Sequence, residues 1–222
     1  MAEMDRRADT VAVIGLGRFG TATARSLLRM GHEVLAIDQD AETVQRLSEE
    51  LPHVVQCDST NAAALRRLGI PEIPHVVVGI GSDIEASLLT VLALSELKVP
   101  RIWAKAVSEN HGHILKRIGA DEVVYPEAAM GERVAHLVTG KMIDFIEFDD
   151  GFAIVKTRTP GYMAGKSLAE TDVRRQHGIT IVGVKRPGED FTYATPQTVV
   201  YRSDLLIVSG PTDKVERFAA LT

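Results

Sequence analysis

A chain of 222 residues, 45% hydrophobic and 25% charged, has material for one large globular domain or two small ones. A formal net charge of -5 argues against a general nucleic-acid binder, and the lone cysteine, Cys57, excludes an intrachain disulfide and a cysteine metal cluster. The segment Met1 to Asp9 is polar without an apolar signal core, and no apolar run reaches bilayer length. A cytoplasmic protein is therefore expected, meeting any membrane through a partner.

The chain opens with an apolar run, Val11-Ala12-Val13-Ile14, which reads as a buried strand. It breaks at Gly15-Leu16-Gly17-Arg18-Phe19-Gly20, and residues 21–30 then read as a helix. Strand, glycine turn and helix together give the G-x-G-x-x-G pattern its meaning. Gly15 allows the sharp turn, Gly17 leaves room for a pyrophosphate, and Gly20 lets helix and strand pack closely. A second strand, residues 33–37, ends at Asp38, about 20 positions past the glycines, where an acidic residue binds ribose hydroxyls and repels a 2′-phosphate.

Further strands are expected at 53–57, 75–79, 101–104 and 122–125, separated by helices at 42–50, capped by Asp40, 62–68, 84–97 and 111–119. Ser82 and Glu85 suggest a capping box at the start of the third of these helices. This alternation predicts an α/β, Rossmann-like, doubly wound parallel sheet. Its ligand edge would gather Gly15 to Gly20, Asp38, Asp58, Ile80-Gly81 and Lys105. A helix over 128–140 leads away and completes a domain of residues 1–140. Strands at 145–148, 153–157, 179–185 and 205–208, a short helix at 167–177 and a last helix capped by Thr212-Asp213 make residues 141–222 a small α+β domain.

Several residues keep two readings. Arg18 stands in the first turn of a helix, where the dipole disfavours a cation; it either swings to solvent or reaches a phosphate. Lys105 is a solvated lysine or a ligand contact, and Asp58 a ribose or base contact or a helix cap. Glu127, by itself, reads as a solvated glutamate. Tyr162 and Lys166 have the spacing of a dehydrogenase catalytic pair, but Pro160, Gly161 and Gly165 argue against the helix that pair requires. The scattered histidines give no metal site, and no nucleophile elbow or Walker A pattern is present.

The stretches 12–20 and 30–38 resemble the RCK (also called KTN) family, as do Gly79-Ile80-Gly81 with Ala86-Ser87, residues 102–106 and 116–121, Tyr125-Pro126-Glu127 with Met130-Gly131, Asp172-Val173-Arg174 and residues 178–181. The resemblance implies a regulatory subunit, not an enzyme, that forms a homo-octameric ring under the ion-translocating membrane subunit of a potassium uptake system. It implies that ATP and ADP compete for the Rossmann cleft, with Asp38 on the ribose and Arg18 on the γ-phosphate across a subunit interface. Glu127 would help to bind Mg²⁺ or Ca²⁺ between paired ATP sites. In the second domain, Leu168, Ala169, Asp172, Arg174, Ile181 and Pro196 would contact cyclic di-AMP; Asp172 stands where relatives often have Asn. The alternatives are a family member that senses NAD(H) and an NAD-dependent dehydrogenase.

Overall fold

The computed structural model describes residues 10–139 and 141–222. The polar segment Met1 to Asp9 and the expected helix end at Gly140 lie outside them. The chain divides into two compact units, Met1–Glu127 and Ala128–Thr222.

In the first unit, β1 (Thr10–Ile14), β2 (Glu33–Asp38), β3 (Val54–Gln56), β4 (His75–Val78), β5 (Ile102–Lys105) and β6 (Glu122–Val124) form one sheet in the order β3-β2-β1-β4-β5-β6. Every pairing in it is parallel. The helices α1 (Arg18–Arg29), α2 (Ala41–Leu47), α3 (Ala62–Arg67), α4 (Ile84–Glu96) and α5 (Glu109–Ile118) connect the strands. The continuous apolar run in β1 has a direct cause. Ala12 and Ile14 pack into one core cluster with Val91 and Leu94 of α4, while Val11 and Val13 pack into another with Ala24 of α1. A strand covered on both faces has no polar side to show. Each fully buried Val, Leu or Ile contributes roughly 1.5–3 kcal/mol.

Caps set the helix starts. Asp40 accepts from Thr43 N at 2.9 Å, and Asn61 accepts from Ala63 N and Ala64 N. At α4 the expected cap is displaced by one residue. Asp83, not Ser82, is the N-cap and accepts from Ala86 N at 2.9 Å. An ionised carboxylate is the stronger acceptor for an orphan N–H, and Asp83 already has the extended backbone that a cap requires.

Helix α6 (Pro126–Thr139) starts on a proline, whose missing N–H costs nothing in a first turn. From Ala128 onward it belongs to the second unit, where Leu137 packs against the core and His136 stacks on Phe145. That unit holds an antiparallel sheet in the order β10-β9-β11-β8-β7, from β7 (Met142–Phe148), β8 (Phe152–Arg158), β9 (Thr180–Lys185), β10 (Phe191–Tyr193) and β11 (Leu205–Pro211). The strand β10 is absent from the sequence expectation because its three residues are all exposed and carry no alternation. The helix expected over 167–177 is split into α7 (Leu168–Thr171) and α8 (Val173–His177). Asp172 between them is left-handed, with φ 47°. Ser167 and Glu170 form a reciprocal capping box at the start of α7. The last helix, α9 (Thr212–Ala219), lacks the expected side-chain cap, because the Thr212 hydroxyl donates to Glu147 instead.

Candidate functional site

The glycine loop is held from three sides. Gly15 turns with φ +86°, and its N–H donates to Ile37 O at 2.8 Å. A Cβ there would lie 2.7 Å from Ile80 Cγ1, and one on Gly20 would lie 1.9 Å from the carbonyl oxygen of Gly15. Both positions therefore have no room for a side chain. Gly17 differs, because a Cβ added to it would meet nothing within 4 Å. It is the N-cap of α1 and offers no capping side chain, and the first turn contains no acidic residue. The orphan N–H groups of that turn are left to an external acceptor, and the helix dipole favours an anion.

A cavity of about 500 Å³ opens at this place. Of the residues expected at the site, Gly15, Gly17, Arg18, Phe19, Asp38, Ile80, Gly81, Lys105 and Glu127 line it together. Two do not. Gly20 lies beneath the loop, packed on Gly15 and Val13. Asp58 is turned onto its own backbone: its Oδ1 accepts from Thr60 N at 3.0 Å and Thr60 Oγ1 at 2.7 Å. Those bonds hold its carboxyl below the usual range. Its neighbours Ser59 and Thr60 supply the wall instead, with Gln39, Ser82 and Asp83. None of these five belongs to a phosphate fingerprint. Only the strand-end loop position was available to find them.

Asp38 has a task before any ligand is considered. Its Oδ2 accepts from Leu16 N at 2.6 Å and its Oδ1 from Asp40 N at 2.9 Å. The carboxylate thus braces the glycine loop from the end of β2. Lys105, only 9% exposed, sends Nζ to Glu127 Oε1 at 2.5 Å and stands 5.9 Å from the Phe19 ring centre. Gly81 gives it passage, since a Cβ there would sit 3.0 Å from Nζ. The Lys105 hydrogen bond, with lesser help from the charges of Lys105 and Arg18, keeps the Glu127 carboxyl below the usual carboxylate range. The Arg18 guanidinium has no hydrogen-bond or ion-pair partner among the described residues and acts on Glu127 only through its charge. The lining therefore carries two cations, Lys105 committed to Glu127 and Arg18 uncommitted, and three carboxylates, Asp38, Asp83 and Glu127.

The second unit has its own cavity, of about 290 Å³. Leu168, Ala169, Asp172, Arg174, Ile181 and Pro196, expected together, all line it. The left-handed turn at Asp172 brings the ends of α7 and α8 to its wall. Tyr162 and Lys166 are not one helix face. Tyr162 lies in a 3₁₀ turn, Gly161–Met163, with its hydroxyl 3.0 Å from His177 Nε2, and Gly165 is left-handed.

A parallel 3-2-1-4-5-6 sheet with a cavity over its glycine turn defines a Rossmann-type ligand-binding module, here followed by a small antiparallel α+β unit. Residues 11–126 match the TrkA-N domain and residues 152–222 the TrkA-C domain, and the chain belongs to the RCK (KTN) family that these domains define. It is 38% identical over 208 residues to Ktr system potassium uptake protein C of Bacillus subtilis (strain 168), covering 93% of this chain and 94% of the relative. It is 36% identical over 208 residues to Ktr system potassium uptake protein A of the same organism, with the same coverage of 93% and 94%. The crystal structure of the GsuK RCK domain covers 96% of this chain with a TM-score of 0.67 at 21% identity, a likeness of fold. The GsuK channel bound to NAD covers 96% at 27% identity with a TM-score of 0.50. This chain spans 47% and 38% of those two chains. Among the described residues no helix is long and apolar enough to cross a membrane.

Proposed function

We propose that this chain is a nucleotide-gated regulatory subunit of a potassium uptake transporter, working in the cytoplasm on the inner face of the membrane. The observation that carries this reading is the cavity over Gly17, with uncapped helix N–H groups, Arg18 at the rim, and relatives of the same length named as Ktr potassium uptake proteins. ATP and ADP are the ligands. Gly17 and the α1 N-terminus would receive the phosphates and Asp38 the ribose. The residues fit that ligand: the space at Gly17 is open, and Arg18 lines the same cavity without an ion-pair partner among the described residues.

Gating requires different affinities of the two ligands for two states, because a ligand that binds both equally shifts nothing. The γ-phosphate can supply that difference. It attracts Arg18, offered across a subunit interface, and brings a Mg²⁺ or Ca²⁺ ion that competes with Lys105 for Glu127. The conformational change passes from the nucleotide-binding domain, residues 1–140, through α6 to the regulatory domain, residues 141–222. A homo-octameric ring of dimers then changes shape against the ion-translocating membrane subunit. Cyclic di-AMP is a ligand for the second cavity, where Arg174 can meet a phosphate and the aliphatic wall the bases.

Titration of the purified chain with ATP, ADP and NADH is the test. A charge-assisted phosphate contact contributes about 1.5–3 kcal/mol. Arg18→Ala should therefore weaken ATP by about 10- to 100-fold and ADP by less than about 2-fold. Equal loss of both nucleotides would refute the role of Arg18. The placement of Asp38 and the similarity to a channel solved with NAD favour a second reading, NAD(H) sensing in the same cleft. NADH binding tighter than either adenine nucleotide would select it, and steady turnover of NAD(H) with a small substrate would replace both readings by a dehydrogenase.

A further inference from the structure

Apart from the two cavities already described, α6 gathers a set of donor groups that neither cavity uses. Glu132 and His136 stand one helical turn apart on α6, and Glu147 comes up from β7. One donor atom of each lies within 4.8 Å of the other two. The groups are oriented from behind. His136 Nδ1 is 2.6 Å from Glu216 Oε1 on α9, and its ring stacks on Phe145 with 4.1 Å between centres. The Thr212 hydroxyl donates to Glu147 Oε1 at 2.7 Å. Glu132 and Glu147 also line a shallow cavity of about 240 Å³. Arg133 lines it too, but its guanidinium is engaged by Asp144. Two carboxylates thus stand with one imidazole, and Arg133 is occupied elsewhere.

We propose that Glu132, His136 and Glu147 form a binding site for a divalent first-row transition cation of the Zn²⁺ type. One imidazole with two carboxylates suits Zn²⁺ or Co²⁺, whereas Mg²⁺ and Ca²⁺ prefer oxygen alone. Zinc bonds of about 2.0–2.1 Å put tetrahedral ligands roughly 3.4 Å apart. The donors, within 4.8 Å of one another, need to close by up to about 1.4 Å, which rotation of exposed glutamate side chains allows. With the cation on Nε2, Glu216 at Nδ1 would give His136 the carboxylate support that metal-binding imidazoles usually have. A bound cation would relieve the repulsion between the two carboxylates and pin α6 to β7. Because α6 is the covalent link between the units, its stiffness would then depend on the metal. The site is separate from the cation expected at Glu127 and needs no nucleotide.

The test uses the full chain, freed of metal and without nucleotide, titrated with Co²⁺ while visible absorption is followed. One Co²⁺ per chain, displaced by Zn²⁺ and not by millimolar Mg²⁺, is expected. Glu132→Gln and Glu147→Gln should each weaken it at least about 10-fold, and Glu216→Gln about 10-fold through the histidine. Glutamine keeps an acceptor oxygen for Thr212, and circular dichroism checks that the variants fold. Zn²⁺ should raise the melting temperature of the wild type and not that of the Glu132→Gln/Glu147→Gln double variant. No saturable binding, binding that persists in the double variant, or displacement of Co²⁺ by Mg²⁺ would overturn the proposal.

Discussion

The cavity over the glycine loop and the one beside Asp172 are built by different means. The one over the parallel sheet has a floor of bare backbone at Gly15, Gly17, Gly79 and Gly81, and charged side chains from Arg18, Asp38, Asp83, Lys105 and Glu127. The one in the second unit is made of side chains: Leu168, Val173, Ile179, Ile181 and Pro196 form its wall, with Asp172 and Arg174 beside them. A backbone cavity suits a phosphate chain, which needs amide N–H groups and close approach. A side-chain cavity suits flat apolar groups and tolerates changes of size. A single methyl group should therefore be felt very differently in the two places.

The largest effect tests that contrast within the glycine loop itself. Gly20→Ala puts a Cβ on the Gly15 carbonyl, a backbone clash that cannot be relieved by a rotamer, and should cost about 3 kcal/mol or more. Differential scanning calorimetry should show the first unit melting roughly 10 °C lower. In the second unit, Asp204 is fully buried and accepts from Arg186 and from Tyr201 N. Asp204→Ala should cost about 2–4 kcal/mol, read from denaturant unfolding, because it takes the acceptor from the Tyr201 N–H and the buried carboxylate from Arg186, which keeps only the longer contacts to Glu189 and Val199 O. Were this change to lower nucleotide affinity in the first cavity as well, the two regions would be coupled more tightly than their separate construction suggests. Gly17→Ala is the sharper probe. Its backbone, φ -68° and ψ -168°, is open to any residue, and the new methyl meets nothing. The melting temperature should stay within about 1 °C while ATP and ADP both weaken about 10-fold or more. Unchanged binding would remove the phosphates from this loop.

The smallest effect concerns Glu127. Its folded carboxyl is held below its ordinary value by Lys105, so the pair stabilises above the unfolded pKa and the contribution fades as pH falls through the folded one. Wild type should lose its small advantage in melting temperature over Glu127→Gln between neutral and strongly acidic pH. The glutamate is exposed, so the difference should be slight.

Much of this was legible in the chain itself. The run Val11 to Ile14, the glycine spacing and Asp38 are local in sequence, and alternating strand and helix signals lead to a parallel sheet, whose strand order only the structure supplies. Short or competing signals were less readable. Ser82 and Asp83 can both cap α4, and only the backbone angles choose between them. Asp172 breaks a helix that its neighbours would continue. Asp58 and Thr60 are two residues apart, yet whether the carboxylate faces the cavity or its own turn depends on a local hydrogen bond.

What the amino-acid order determined alone is the periodic part: apolar runs, glycines without a Cβ, prolines and caps, all acting over a few residues. The tertiary structure decided which distant charges meet. Lys105 finds Glu127 22 positions away, and His136 finds Glu216 80 positions away. Such pairs form because the sheets bring together ends that the chain keeps far apart, and no spacing rule along the sequence encodes that distance.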